Sequence, residues 1–213
     1  MLFLADASES HDVIASELKC EVGQLITPLT RRKNRGGVFG IDNGAFAHFD
    51  AKSFRSLLKR ETPNKDRCLF VAAPDVVCSA RRTLECFEQH WRAELEGWPL
   101  ALVMQDGQEN LPIPWALISC IFVGGSDEFK LGPYATHCIK AAQIMGKYVH
   151  VGRINTPNRW EYFEKLGVDS CDGTGLSRYT HMRNRVADLN LFDLAEQPPD
   201  ELVFESSETE NVD

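Results

Sequence analysis

Carboxylate side chains recur at the ends of short apolar runs along this sequence. The residues that follow or end these runs are Asp6, Asp42, Asp75, Gln105, Gly124 and Asp172. Enzymes use carboxylates as covalent nucleophiles and as general acids or bases. Any single aspartate of this kind has an ordinary alternative, because Asp also caps helices and starts turns. Taken together, their recurrence after successive runs predicts a shared site.

The apolar runs alternate with amphipathic stretches, which is the pattern of a parallel α/β fold. The predicted strands, eight in number, span residues 2–5, 24–28, 37–41, 68–73, 99–104, 119–123, 147–151 and 168–172. Helices are predicted over residues 9–20, 51–60, 79–96, 133–145 and 157–166, with a closing helix near 186–194. The connections 29–36 and 105–118 are predicted to be largely irregular. This order predicts a compact (β/α)8 barrel, with chemistry at the carboxyl ends of its strands. An open doubly wound sheet is the competing arrangement.

Charge and composition predict one domain followed by an acidic tail. The chain of 213 residues has a net charge of −8, and its last eighteen residues, 196–213, hold seven acids and no Lys or Arg. Without them, residues 1–195 carry a net charge of −1. We expect residues 1–195 to form the domain and residues 196–213 to be disordered. The seven cysteines form no CxxC pair and are expected to be mostly buried, reduced thiols. No signal peptide or membrane span is recognised, so a cytoplasmic protein is expected.

Three segments resemble motifs of a known enzyme family. Residues 40–46 read GIDNGAF, residues 105–107 read QDG with Gly124-Gly125 after the next run, and residues 167–172 read GVDSCD. In order and character these segments resemble those of the tRNA-guanine transglycosylases, a family of (β/α)8 barrels. The resemblance covers about residues 37–178, and it is the order of the motifs that makes it specific.

The resemblance implies a pair of catalytic carboxylates. The family's Asp-Ser-Gly-Gly-Phe-type motif resembles residues 42–46, which makes Asp42 the group that moves a proton on the purine. The family's Gly-Val-Asp-x-Phe-Asp segment resembles residues 167–172, which makes Asp172 the nucleophile. Breaking an N-glycosidic bond passes through an oxocarbenium-like transition state. A carboxylate below C1′ can trap that centre covalently until the incoming base displaces it.

The resemblance also implies a set of residues that bind the base. They are Phe46, Asp75, Gln105, Asp106, Gly124, Gly125 and Val151. Asp75 matches the family's guanine-reading aspartate, which accepts hydrogen bonds from N1–H and the exocyclic amine. Gln105 and the glycine amides would read O6, since glycine lets N–H groups approach closely. Asp106 replaces a family glycine and would contact a 7-substituent. Phe46 and Val151 would sandwich the ring, although a Phe at a strand end is often a core residue.

Two basic clusters are candidates for contacts with nucleic acid. The first holds Arg31, Arg32, Lys33 and Arg35, and the second holds Arg178, His181, Arg183 and Arg185. Both clusters are predicted near the top of the barrel, where phosphates would be bound. For Arg178, an alternative role is to orient Asp172. A solvated loop is the ordinary alternative for such runs. Lys130, Arg153 and Arg159 are expected to be ordinary surface residues. The target base must leave the stack, so a flipped nucleotide or a single strand is expected.

One departure from the family concerns its zinc site, a Cys-x-Cys-x-x-Cys plus His downstream of the nucleophile. Cys171 is the last cysteine and His181 the last histidine, so this ligand set is absent, and no metal or cofactor is expected. The chain is therefore most similar to the zinc-free 7-deazaguanine transglycosylases that act on DNA in phages and bacteria. The expected partners are DNA, or alternatively tRNA, and a free 7-deazaguanine base. The same residues would also suit a base-releasing N-glycosidase or a catalytically inactive base-binding barrel.

Overall fold

A computed structural model describes residues 1–6, 11–30, 34 and 36–195, with side chains placed as far as residue 188. The first basic cluster, which contains Arg31, Arg32, Lys33 and Arg35, lies outside the described residues. The acidic tail, residues 196–213, lies outside them as well.

Eight parallel strands form a closed barrel in which each strand pairs with the next and the last pairs with the first. The strands are β1 Leu2–Ala5, β2 Val22–Ile26, β3 Phe39–Ile41, β4 Cys68–Ala72, β5 Leu100–Met104, β6 Cys120–Val123, β7 Tyr148–Val151 and β8 Ser170–Asp172. The predicted (β/α)8 barrel is confirmed, and the pairing of β8 with β1 rules out the open sheet. Strand β2 starts two residues earlier than predicted.

Helices cover the outside of the barrel in the predicted order. They are α1 His11–Leu18, α2 Ala51–Glu61, α3 Ala80–Cys86, α4 Arg92–Glu94, α5 Asp127–Leu131, α6 Pro133–Ile144, α7 Pro157–Lys165, α8 Thr174–Arg178 and α9 Thr180–Ala195. A π-helical turn, Phe87–Trp91, joins α3 to α4, and 3-10 turns span Thr62–Arg67, Gln108–Asn110 and Trp115–Leu117. The two short helices α5 and α8 were not predicted, because five residues are too few for a periodic apolar pattern. Every helix in the described part of the chain is too short or too polar to cross a membrane.

Side chains point alternately outward and inward along each strand, which creates one apolar layer outside the barrel and another inside it. Outward side chains join the helices in the main core, whereas inward side chains fill the barrel with Leu4, Leu25, Phe70, Ala72, Ala101, Val103, Cys120 and Phe122. The interior is tight, because a Cβ added to Gly40 would lie 2.5 Å from the ring of Phe70. Small residues on one strand thus make room for rings on another. The cysteines are all free thiols, and Cys78 is the one at the surface.

Arg183 holds the closing helix α9 in place. Its side chain is 1% exposed, and its guanidinium donates to the carbonyl oxygens of Leu176 at 2.8 Å and Ser177 at 3.2 Å in α8. It also forms an ion pair with Glu17 in α1. The predicted role of Arg183 in nucleic-acid binding is therefore wrong, because these partners bury the charge. Arg185, on the same helix, is exposed as expected.

We predict that Arg183→Ala lowers the free energy of unfolding by about 2–4 kcal/mol, because a carboxylate and two carbonyls lose their donor. Arg185→Ala is the matched control and changes the stability by less than about 0.5 kcal/mol. Urea denaturation of the two variants measures the difference. Equal stabilities of the two variants would contradict the structural role of Arg183.

Candidate active site

A cavity of about 920 Å³ opens at the carboxyl ends of the strands. It brings together nine of the residues predicted from sequence, namely Asp6, Asp42, Phe46, Asp75, Gln105, Gly124, Gly125, Asp172 and Arg178. Strand alternation explains this convergence. The last residues of β3 and β5, Ile41 and Met104, point outward into the helical layer, so the residues that follow them point into the barrel.

Asp172 is the inward-facing last residue of β8, and both of its carboxylate oxygens accept hydrogen bonds. Oδ2 lies 3.0 Å from Nε2 of His150, and Oδ1 accepts from the backbone N–H of Arg153 at 3.1 Å. The side chain is 14% exposed, so it reaches the cavity while remaining held from two sides. The carboxylate therefore has a fixed orientation, which a nucleophile requires.

Asp42 lies in a desolvated position at the end of β3. Burial, together with the negative charges of Asp172 and Asp75, raises the pKa of Asp42 to about 6. A hydrogen bond from the backbone N–H of Gly44 to Oδ1, at 3.0 Å, acts in the opposite direction. Gly44 has a φ of +79°, which favours glycine and creates the turn after β3. A carboxyl group with this pKa can both donate and accept a proton near neutral pH.

Two side-chain amides hold the carboxylate of Asp75. Asn43 donates from Nδ2 to Oδ1 at 2.8 Å, and Gln105 donates from Nε2 to Oδ2 at 2.6 Å. Gln105 is itself fixed, because its Oε1 accepts from the backbone N–H of Cys78 at 2.8 Å. Burial raises the pKa of Asp75, and the two amide hydrogen bonds oppose that rise. Gln105 thus supports Asp75 in this structure, whereas direct reading of O6 by Gln105 was expected.

Arg153 is a cavity residue that the sequence interpretation missed. Its guanidinium lies over the ring of Phe46, 4.4 Å from the ring centroid, and donates to the carbonyl oxygen of Gly125 at 2.5 Å. Its backbone has a φ of +61°, a left-handed conformation that turns its N–H toward Asp172. Phe46 is 67% exposed, so its ring is not a core residue. The expectation of an ordinary surface arginine is wrong, and no motif marks this position.

Val151 does not reach the cavity. It is the outward residue at the end of β7 and is fully buried among the helices. The predicted sandwich between Phe46 and Val151 is therefore wrong, because alternation along β7 directs His150 inward instead. Both faces of β7 are buried, so the sequence alone did not show which of its residues point inward and which point outward.

Asp106 and Gly124 also differ from expectation. The carboxylate of Asp106 accepts from the backbone N–H of Ser126 at 2.9 Å and from its hydroxyl, which joins the loops after β5 and β6. Asp106 does not line the cavity, so its predicted contact with a 7-substituent is not supported. The backbone N–H of Gly124 donates to Met104 at 3.0 Å as part of the sheet, which occupies the donor expected to read O6.

Lys130 is buried rather than exposed, contrary to expectation. Its Nζ donates to the carbonyl oxygen of Gly152 at 2.5 Å, and burial lowers the pKa of its ammonium group to about 8. A Cβ on Gly152 would lie 2.7 Å from the ring of Phe122, so the chain passes very close to the barrel interior here. Lys130 therefore anchors the segment that carries Arg153. Arg159 does lie near the surface, where it pairs with Asp127 at 2.7 Å.

The second basic cluster is only partly directed at the cavity. Arg178 is exposed and lines the rim, whereas Arg183 is buried and His181 and Arg185 are exposed on α9. Within the described ranges, no group of three or more His, Cys, Asp or Glu side chains is arranged to hold a metal ion.

Comparisons with known proteins find similarity to solved structures alone. No family model and no curated protein matches the chain. Among solved structures, it is similar to phosphoribosyl anthranilate isomerase from Thermus thermophilus, with 12% identity over 91% of this chain and 100% of that chain and a TM-score of 0.41. It is also similar to a structure described as native KDPGal, with 11% identity over 91% of this chain and 95% of that chain and a TM-score of 0.39.

We predict that Asp42→Asn stabilises the protein in a pH-dependent way. Because the pKa of Asp42 is raised to about 6 by folding, the native state holds this proton more tightly than the unfolded state. Ionisation of Asp42 therefore costs stability, and the cost grows from about pH 4 to about pH 6 and stays constant above. Relative to wild type, the variant should gain up to about 3 kcal/mol across this window. Urea denaturation at pH 4 and pH 7.5 measures the gain, and a pH-independent difference would contradict it.

Proposed function

We propose that this chain is a nucleic-acid base transglycosylase that exchanges guanine for a 7-deazaguanine derivative, with DNA as the preferred substrate. The observation that carries the proposal is the convergence of Asp42, Asp75 and Asp172 on one cavity. Asp42 and Asp172 belong to segments that resemble motifs of the tRNA-guanine transglycosylases in order and character, and Asp75 matches the family's guanine-reading aspartate. The three carboxylates also differ in their surroundings, as a division of roles requires.

Asp172 acts as the nucleophile in this proposal. One of its oxygens attacks C1′ of the sugar as the bond between C1′ and N9 of guanine breaks, which gives a covalent ester. The departing purine takes a proton from the carboxyl group of Asp42, so that it leaves as neutral guanine. Asp42 then accepts the N9 proton of the incoming base, whose nitrogen attacks C1′ and releases the carboxylate of Asp172. The pKa of Asp42, about 6, suits both proton transfers.

Asp75 recognises the base in both halves of the exchange. A carboxylate held by Asn43 and Gln105 can still accept hydrogen bonds from N1–H and the exocyclic amine of a guanine-like edge. Guanine and 7-deazaguanine share this edge, so one residue serves the leaving base and the incoming base. The cavity, about 920 Å³, is within the range of small-molecule sites and has room for a flipped nucleotide.

The surroundings of the cavity support a nucleic-acid substrate. Arg178 lies at the rim, where a phosphate of a flipped nucleotide would pass. The ring of Phe46 is exposed, and the face that the guanidinium of Arg153 does not cover offers a platform for stacking. After Asp172, the described chain forms only α8 and α9, and α9 packs against α1 and α7. This segment packs over the seam of the barrel.

We predict that wild-type protein forms an adduct with guanine-containing DNA that survives denaturation, and that Asp172→Asn forms none. The amide is a poor nucleophile, so base exchange should fall at least about a thousandfold. Intact-mass spectrometry of the denatured mixture measures the adduct, and urea denaturation checks the fold.

Asp169→Asn is the matched control, since Asp169 directly precedes β8 outside the cavity and accepts from the backbone N–H of Val149. The control should form the adduct at the wild-type level. An adduct of normal yield in Asp172→Asn would overturn the nucleophile assignment. Absence of both adduct and exchange in the wild type would overturn the proposed function.

A further inference from the structure

His150 contacts the carboxylate of Asp172 and was not among the residues predicted from the sequence. It is the inward residue near the end of β7 and is 0% exposed. The rings of Phe70 and Phe122 flank it, each with a centroid 4.6 Å from that of the imidazole. Despite these apolar neighbours, both ring nitrogens have polar partners. Nδ1 lies 2.8 Å from the hydroxyl of Ser170, and Nε2 lies 3.0 Å from Oδ2 of Asp172.

The chemistry of the partners sets the direction of both hydrogen bonds. A carboxylate oxygen accepts, so Nε2 of His150 carries the proton and donates to Asp172. In a neutral imidazole the other nitrogen accepts, and the hydroxyl of Ser170 donates to it. The strand register agrees with these two contacts, because His150 pairs with Ser170 and Asp172 is the next inward residue along β8. The imidazole therefore lies directly beneath the carboxylate, on the side away from the cavity.

We propose that His150 is a positioning residue for Asp172, with Ser170 fixing its tautomer. The reaction that it serves is the one proposed above, whereas the hydrogen bond itself does not depend on that proposal. His150 cannot be the proton-transfer group, because its ring is fully buried and Asp172 separates it from the cavity. A role in packing alone does not require a donor, since a phenylalanine would fill the same space between Phe70 and Phe122.

The donor acts differently on the two halves of the exchange. A hydrogen bond to the carboxylate stabilises its charged form relative to the neutral ester. It therefore makes Asp172 a better leaving group when the incoming base attacks C1′. It also keeps the carboxylate plane fixed for the first attack, together with the N–H of Arg153. Loss of the donor should slow breakdown of the covalent intermediate more than its formation.

The test compares His150→Phe, which keeps a ring but removes the donor, with His150→Gln, which returns an amide N–H. Cys120→Ala is the matched control, because Cys120 is also buried inside the barrel and does not contact Asp172. For His150→Phe we expect exchange to fall about 10–100-fold, as is typical when the partner of a reacting group is lost. The KM for the free base should change by less than about twofold.

The fraction of protein held as covalent adduct during turnover separates positioning from a general structural defect. It should rise in His150→Phe and return toward the wild-type level in His150→Gln, with Cys120→Ala unchanged. Exchange by His150→Phe within about twofold of wild type would overturn the proposal. A glutamine variant no better than the phenylalanine variant, with both folded, would overturn it as well.

A second measurement needs neither activity nor a variant. Nitrogen-15 NMR of the wild-type protein reports which ring nitrogen of His150 carries a proton. A proton on Nε2 is the expected result, and an Nε2 without a proton overturns the proposal even if the protein exchanges bases. If the wild type exchanges no base while Nε2 is protonated, the proposed function fails and the positioning of Asp172 stands.

Discussion

The hydrogen bonds between β8 and β1 are the constraint on which the site depends. Leu4 of β1 lies opposite Asp172 of β8, and this pairing turns an open series of strands into a ring. Closure brings the last strand beside the first and places Asp172 on the same cavity as Asp42 and Asp75, which follow strands from the first half of the chain. Helix α9 then covers the seam between α1 and α7, where Arg183 satisfies the carbonyls of α8. Arg183 is thus part of the closure of the barrel.

Placing three carboxylates in one partly buried cavity is unfavourable, and each of them is stabilised by its own hydrogen-bond donors. Asp75 has two amide donors, Asp172 has an imidazole and a backbone N–H, and Asp42 has the N–H of Gly44. Burial raises the pKa of Asp42 to about 6. Asp42 is thereby suited to proton transfer, while Asp172, the proposed nucleophile, is held by two hydrogen-bond donors. Differences of this kind let chemically identical side chains take separate roles.

The fold was largely predictable, because the information lies in short local patterns. Apolar runs separated by amphipathic stretches gave the eight strands and their order, and the residues after those runs included Asp42, Asp75 and Gln105. The faces of a strand were less predictable, since both faces of a barrel strand are apolar. This explains why Val151 was predicted in the site and His150 was not.

Sequence alone also could not predict the residues whose roles depend on backbone conformation or on partners far away in the chain. Arg153 reaches Asp172 through a left-handed backbone conformation, and no residue pattern signals such a conformation at an arginine. Lys130 and Arg183 resemble surface residues in sequence, yet both are buried with backbone carbonyls as partners. Charge clusters predict a solvated face only when tertiary contacts leave the face open. Local sequence contains no information on those contacts.

The most direct test of base exchange follows a labelled base into nucleic acid. Purified protein is incubated with an isotopically labelled 7-deazaguanine base and either duplex DNA or tRNA, and the nucleosides are then separated and analysed by mass spectrometry. We expect the labelled 7-deazaguanine nucleoside in the deoxyribonucleoside fraction, with one guanine released for each base incorporated. Release of guanine without incorporation would instead identify a base-releasing N-glycosidase. Incorporation into tRNA with none into DNA would contradict the preferred substrate, and neither release nor incorporation would contradict base exchange itself.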